Sequence, residues 1–273
     1  MLTAKQLTDI KELQCACENG EPFELKLNWD MLQSREENEG NDFFHYEEGK
    51  LVGFLGLYGF GNKVEACGMV APDYRRKGIF TKLYRNAEKV LKDRGTSHIL
   101  LNAPSNSESG KEFLRSVSCS YSFSEYQMKW EETPLSYKDD VILRLSTPDD
   151  FETEIQLDVQ AFQFEEEDAR DYNERIKREN TDQFYIIESN GISVGKMRIS
   201  HLNGEAWIYG FAIFPEYQGK GIGRKALTNV ILNEDKNGFS IFLEVEAKNA
   251  HALKLYESCG FKAYHAQDYY KKE

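Results

Sequence analysis

Residues 215–224 read Pro-Glu-Tyr-Gln-Gly-Lys-Gly-Ile-Gly-Arg, so Gly219, Gly221 and Gly223 stand just ahead of a segment carrying Ala226, Leu227, Val230 and Ile231 at helical spacing. Glycines that open a helix leave backbone N–H groups uncovered where the helix dipole is positive, and such a turn can hold a phosphate or pyrophosphate. The spacing is not a dinucleotide-binding fingerprint: the glycines lie too close together, and the strand before them belongs to an antiparallel hairpin. No Gly-Lys-Ser/Thr loop for a nucleoside triphosphate is present. The five cysteines, Cys15, Cys17, Cys67, Cys119 and Cys259, form no Cys-x-x-Cys pair and have few histidines to join them. Reduced thiols are therefore expected, with neither disulfides nor a bound metal.

Residues able to handle protons follow the glycine turn. Glu244 lies in the run Ile241–Ala247, where alternation puts Phe242, Glu244 and Glu246 on one face of a strand. A glutamate there is either a base or a solvated carboxylate. Glu205, at the head of the preceding strand, is a rival, and a water relay is a third route. Tyr256 falls on an amphipathic helix with Ala252, Leu253 and Leu255, where an aromatic is either a core residue or a proton donor.

The elements that must position these residues occur in an order that appears twice. In the second half, strands are expected over 184–189, 192–200 and 207–214, with Asn203-Gly204 as the hairpin turn. The glycine-opened helix follows and stops at Gly238; a strand over 240–246 leads through Asn249 into a helix ended by Cys259-Gly260, and Phe261 starts a last strand. Val141–Leu145 supplies a first strand, Thr147-Pro148 opens a helix, and the acidic run 165–168 opens another. In the first half, strands over 43–47, 51–60 and 64–70, with Gly61-Asn62 as the tight turn, precede Arg75-Arg76-Lys77-Gly78-Ile79-Phe80. A helix stopped by Gly95, a strand over 97–101, a helix over 108–117 and a strand over 120–130 complete the set. This is the mark of an internal duplication. Residues 131–140, with Pro134, read as the linker, giving a first domain over 1–135 and a second over 136–273.

Gln218-Gly219-Lys220-Gly221-Ile222-Gly223 resembles the Gln/Arg-x-x-Gly-x-Gly/Ala signature of the GNAT superfamily of N-acetyltransferases. Residues 243–249 (Leu-Glu-Val-Glu-Ala-Lys-Asn) and 252–261 (Ala-Leu-Lys-Leu-Tyr-Glu-Ser-Cys-Gly-Phe) resemble that superfamily's second cofactor motif, and are similar to the bacterial ribosomal-protein N-acetyltransferases. The resemblance implies two tandem GNAT folds of the α/β (α+β) class, each a mixed, mostly antiparallel sheet flanked by helices. It implies an acetyl-CoA site in the second: the backbone of Ala212, Ile213 and Phe214 along the pantetheine arm, Gln218, Gly219, Lys220, Gly221, Ile222, Gly223 and Arg224 at the pyrophosphate, and Asn249 near the pantetheine. Acetyl would pass directly from thioester to amine, a reaction that needs a base for the ammonium proton and an acid for the departing thiolate. Tyr256 falls on the usual acid and Glu244 on the base of the ribosomal-protein subgroup. The first copy keeps Gly78 but has Phe80 where the second has Gly223, and aligning Asn106 with Asn249 puts Phe113 where Tyr256 stands. It is expected to be a degenerate copy without catalysis, kept for packing and for walling the substrate cleft. Three cations at its loop leave residual cofactor binding open.

The 273 residues suit two hydrophobic cores, and 40% hydrophobic, 13% aromatic and 29% charged residues describe a folded chain. The N-terminal segment has no signal-peptide core, and the longest apolar stretch, 51–60, is too short for a bilayer. A cytoplasmic protein without a membrane partner is expected. Lys and Arg number 18 against 21 Asp and Glu in residues 1–138, a balance of −3, and 16 against 25 in residues 139–273, a balance of −9. An acidic second half repels nucleic acid and draws cationic amines, or simply keeps the protein soluble. The expected acceptor is a small cationic molecule bearing a primary amine. The alternatives are a protein N-terminus, or no acceptor at all in a non-catalytic acetyl-CoA sensor. Nothing in the sequence sets the oligomeric state.

Overall fold

The computed structural model describes residues 2–35, 40–60, 63–179 and 182–273. In chain order the elements are α1 (Ala4–Glu18), α2 (Trp29–Gln33), β1 (Asp42–Glu47), β2 (Lys50–Phe60), β3 (Lys63–Val70), α3 (Ile79–Asp93), β4 (His98–Pro104), α4 (Glu108–Ser116) and β5 (Cys119–Trp130). They continue as β6 (Val141–Leu145), α5 (Phe151–Phe162), α6 (Glu166–Glu179), β7 (Asp182–Ser189), β8 (Ile192–Leu202), β9 (Glu205–Ile213), α7 (Ile222–Lys236), β10 (Ser240–Glu246), α8 (Ala250–Glu257) and β11 (Phe261–Lys272). Local chemistry explains many of the boundaries. A Thr3–Gln6 capping box starts α1. Asn203 and Gly204, both at positive φ, close the β8–β9 hairpin as the sequence predicts. The other predicted tight turn, Gly61-Asn62, lies outside the described residues; β2 and β3 pair up to Phe60 and Lys63 on either side of it.

The chain forms two compact units, each with its own apolar core. Unit 1 comprises Met1–Ser124 with His265–Glu273, and unit 2 comprises Glu125–Tyr264. In unit 1, β1, β2 and β3 are antiparallel, β3 runs parallel to β4, and residues 267–271 of β11 lie antiparallel beside β4. Its core gathers Phe54, Leu55, Leu83, Ala87, Leu91 and Leu101. In unit 2, β6 to β9 are antiparallel, β9 runs parallel to β10, and residues 125–129 of β5 lie antiparallel beside β10. Its core gathers Met128, Ile199, Leu227, Ile231, Leu243 and Phe261. Each unit is thus a mixed, mostly antiparallel sheet flanked by helices.

The units do not follow the linear division at 135/136. Residues 125–135 belong to unit 2 and residues 265–273 to unit 1. The strand over 120–130 is where the sequence puts it, but which sheet a strand joins is set by long-range pairing that its own residues do not encode.

Candidate active site

In both units the parallel pair is short and then opens. In unit 2, β9 and β10 pair from Glu205/Ser240 to Ile208/Leu243, after which β9 runs on to Ile213 and β10 to Glu246. A bulge between the β8 positions Lys196 and Arg198, opposite Gly210 at φ +56°, bends β9 where the pairing ends. Backbone groups of the two strands beyond that point face a gap instead of each other.

The glycine turn stands at the mouth of the gap. Gly219 (φ +72°) and Gly221 (φ +78°) hold left-handed backbone that other residues adopt only with strain. Gly221 is the N-cap of α7 and offers no side-chain cap. The first-turn N–H groups of the helix have no intrahelical acceptor and lie at the positive end of its dipole. Gln218 donates from Nε2 to the Ile213 carbonyl at 2.9 Å and ties the turn to the end of β9. Lys220 stands over the Tyr217 ring at 5.0 Å. Of the three residues assigned to the pantetheine arm, Phe214 gives its N–H to Val194 on β8, so alternation turns Ile213 toward the gap and Ala212 away from it. Asn249 is the N-cap of α8, its Oδ1 accepting the Ala252 N–H at 3.1 Å, which leaves its Nδ2 as a donor.

Glu244 is the first β10 residue past the last parallel pair, and Gln127 of β5 stands directly opposite, donating from Nε2 to Glu244 Oε1 at 3.0 Å. Leu243 and Val245 point into the core of unit 2, so Glu244 is on the other face of the sheet, with Phe242. Tyr256 belongs to the core side, packed edge-on against Phe261 with ring centroids 6.2 Å apart. It is 9% exposed, and burial pushes its phenol up to about 12, so it stays protonated at working pH. The acid and base candidates thus approach the gap from opposite faces. The rival Glu205 is at the far end of the parallel pair, where its carboxylate accepts the Trp207 indole N–H at 2.8 Å.

An aromatic surface shares the Glu244 face, and sequence reasoning missed it. Trp207 stacks on Phe242 (4.9 Å) and neighbours Tyr209 (6.2 Å), and Tyr264 meets Phe242 edge-on at 5.9 Å. These rings already attract cations: Lys129 stands 5.3 Å from the Phe242 centroid and Arg198 4.8 Å from that of Tyr209. The signal was there in Trp207 and Tyr209 at period two; Phe211 looks like a continuation in sequence, but the bulge turns it to the core side. Also missed was a buried network: Asp158 on α5 accepts from Lys196 on β8 (2.6 Å) and Asn173 on α6 (2.5 Å), and burial pulls the Lys196 ammonium below its ordinary range.

Unit 1 repeats this geometry with different side chains. Pairing of β3 and β4 stops at Ala66/Leu101, and a cleft of about 640 Å³ opens there, lined among others by Val70, Arg76, Gly78, Phe80 and Asn102. That volume lies in unit 1, whereas the acid and base candidates Tyr256 and Glu244 lie in unit 2. The caps correct the internal alignment. Ser107 caps α4 as Asn249 caps α8, so Leu114, not Phe113, occupies the Tyr256 position, and Asn102 occupies that of Glu244. Neither can exchange a proton at neutral pH.

Phe80 also reads differently in three dimensions. A Cβ on Gly68 would meet the Phe80 ring at 2.8 Å; in unit 2 the corresponding pair is Phe211 and Gly223, and a Cβ on Gly223 would find the Phe211 ring at 3.6 Å. The strand supplies the ring in one copy and the helix in the other, so Phe80 is a reciprocal exchange that keeps the ring. The costlier departure is Arg76, which takes φ +65° at the position of Gly219 and pairs with Glu112.

The model of the acetyltransferase (GNAT) family matches this chain twice, over residues 7–114 and 148–261. The chain belongs to the GNAT acetyltransferase family. Its GNAT copies each contain one glycine turn and one opened strand pair. Among curated relatives it is 45% identical over 58 residues to the [ribosomal protein bS18]-alanine N-acetyltransferase of Escherichia coli, a match covering 21% of this chain and 39% of that protein. It is 40% identical over 62 residues to the spermine/spermidine N(1)-acetyltransferase of Bacillus subtilis, covering 22% and 41%. The matches thus span about two fifths of those relatives' length. Two solved structures share the whole fold: a GCN5-related N-acetyltransferase from Sphaerobacter thermophilus (TM-score 0.77, 17% identity, 100% of this chain and 94% of that one) and a tandem GNAT protein from the clavulanic acid biosynthesis pathway (TM-score 0.73, 15% identity, 98% and 95%). Among the described residues no helix is long and apolar enough to cross a membrane, and no group of three or more His, Cys, Asp or Glu could hold a metal ion.

Proposed function

We propose that this GNAT protein transfers an acetyl group directly from acetyl-CoA to a primary amine at unit 2, and that the second copy is the catalytic one. The observation that carries the reading is the opened β9–β10 pair, with the glycine turn at its mouth, a protonated tyrosine on one face and a glutamate on the other. The residues fit the co-substrate. Gly219 and Gly221 have open space where a Cβ would stand, and the N-terminus of α7 suits a pyrophosphate. Acetyl-CoA supplies the activated thioester. Tyr256 holds a proton for the thiolate, Glu244 accepts one from the ammonium, and Ile213 presents the backbone that aligns the arm. Glu244 is favoured over Glu205 because only Glu244 is next to the gap.

A cationic acceptor is favoured, because the rings beside Glu244 attract ammonium and guanidinium groups and the second half of the chain is acidic. The relatives named above act on spermine and spermidine or on an alanine of a ribosomal protein, so a protein N-terminus is the second reading. Thiol release from acetyl-CoA is measured across spermine, spermidine, aminoglycosides, amino acids and an Ala-initiated peptide. Turnover with a polyamine supports the first reading and turnover with the peptide alone the second. Acetyl-CoA binding without release on any amine overturns both and leaves a sensor.

A further inference from the structure

We infer that Gln127 is a positioning residue for Glu244, fixing the orientation of its carboxylate; this rests on the reading of Glu244 as the base. Gln127 and Glu244 are direct cross-strand partners in an antiparallel ladder, so their side chains share one face. The Gln127 amide donates to Glu244 Oε1 at 3.0 Å, and with Gln127 only 8% exposed its rotamer is constrained by packing. Parallel pairing ends at Leu243, so β5 is the strand that stays alongside β10 at Glu244 while β9 parts from it. An N–H donated to one carboxylate oxygen from a packed amide fixes the plane of the carboxylate and so the direction of its other oxygen, which a base aimed at a bound amine needs.

Unit 1 shows the same ladder position without the pair. Asn102 stands where Glu244 does, Tyr269 of β11 is opposite it, and the Asn102 amide turns to the Cys67 sulfur at 3.1 Å. Carboxylate and amide partner are absent together, as expected if the amide is there to serve the carboxylate. Residue 127 lies before the 135/136 division, yet its strand segment belongs to unit 2. The catalytic unit therefore takes a positioning group from the strand that closes the first copy of the motif order.

The test uses the full chain and a readout that needs no acceptor. The Glu244 side-chain carboxyl is followed by ¹³C NMR at one neutral pH, its signal assigned by its loss in Glu244→Gln. In Gln127→Met, which keeps length but removes both polar atoms, that signal is expected to move and broaden as the carboxylate loses its amide partner and its fixed orientation. Gln127→Leu serves as the second variant should the first unfold. An unmoved signal in a folded variant overturns the inference. In parallel, thiol release with acetyl-CoA and spermine is expected to show kcat lowered roughly three- to tenfold and KM for acetyl-CoA unchanged. Adding Gln127→Met to Glu244→Gln should cost no further rate; a full additional loss means that Gln127 acts elsewhere. If Glu244→Gln itself turns over with the wild-type rate and profile, the base reading fails and the inference with it. A slow Glu244→Gln beside an unaffected Gln127→Met defeats the inference alone.

Discussion

Tyr256 and Glu244 carry distinct parts of the proposed reaction, and the difference is measurable. Tyr256→Phe keeps the ring against Phe261 but removes the proton, so kcat is expected to fall by roughly one to three orders of magnitude while acetyl-CoA affinity hardly changes. A normal kcat where chemistry is rate-limiting would remove the acid assignment. Glu244→Gln leaves the amine to lose its own proton, and its rate should recover as pH rises; a profile parallel to wild type returns attention to Glu205 or water. The two glycine turns give an internally controlled comparison. Gly221 and Gly78 have nearly equal φ, +78° and +79°, and open space at Cβ, so Gly→Glu imposes the same backbone strain at either. Gly221→Glu should weaken acetyl-CoA binding by about tenfold or more through clash and like charge, whereas Gly78→Glu should leave turnover intact. Equal loss of activity from both would mean that unit 1 also works.

One guanidinium ties together the β6, α5 and β7 corner of unit 2. Arg144 on β6 makes two bonds of 2.6 Å to Asp150 and a third of 2.6 Å to Glu188 on β7, and Asp150 also accepts from the Thr147 backbone and hydroxyl. The strand, the cap of α5 and the neighbouring strand are thereby joined. The Arg144 guanidinium holds the Asp150 carboxyl well below the usual carboxylate range. A depressed carboxyl contributes stability that is present above its unfolded value, near 4, and is lost as pH falls through the folded value. Arg144→Met should therefore destabilise the protein by about 1–3 kcal/mol at neutral pH, with the difference from wild type shrinking below pH 4. Urea unfolding at pH 7 and pH 3 reads both; a pH-independent difference would show that Arg144 acts through packing alone.

At the scale of the molecule, the compact units define which pieces of chain stand alone. A fragment beginning at Lys138 contains both cofactor motifs, but it lacks residues 125–137. Those residues supply the β5 segment beside β10, the buried Met128, the Trp130 indole bond to the Cys259 carbonyl at 3.0 Å and the Glu131 N–H bond to Gly260. Removing a buried methionine side chain alone costs about 2–5 kcal/mol of a total of about 5–15, and the cut also exposes an unpaired strand edge. The fragment 138–273 is expected to aggregate or unfold without a cooperative transition, while the full chain unfolds cooperatively. A folded 138–273 fragment that binds acetyl-CoA would show that the β5 segment is dispensable.

What the sequence determined by itself was local or repeated. The glycine turn, the Asn203-Gly204 hairpin, the helix caps and the order of strands and helices follow from nearest neighbours and from a motif order appearing twice, and the family could be read from them. Tertiary structure decided whatever depends on partners distant in the chain. Which sheet receives residues 125–130, which amide faces Glu244, and which ring lies over Gly68 are long-range pairings, and a strand or side chain does not encode its own partner. The internal register was decided in the same way. Asn106 and Ser107 are both plausible caps in sequence, one residue apart, and only the bond from the Gly110 N–H to the Ser107 hydroxyl at 3.2 Å sets the phase of α4 and places Leu114 where Tyr256 stands. One residue is about 100° of helix, enough to exchange a core position for a neighbouring one, and packing against the sheet determines which of them faces inward.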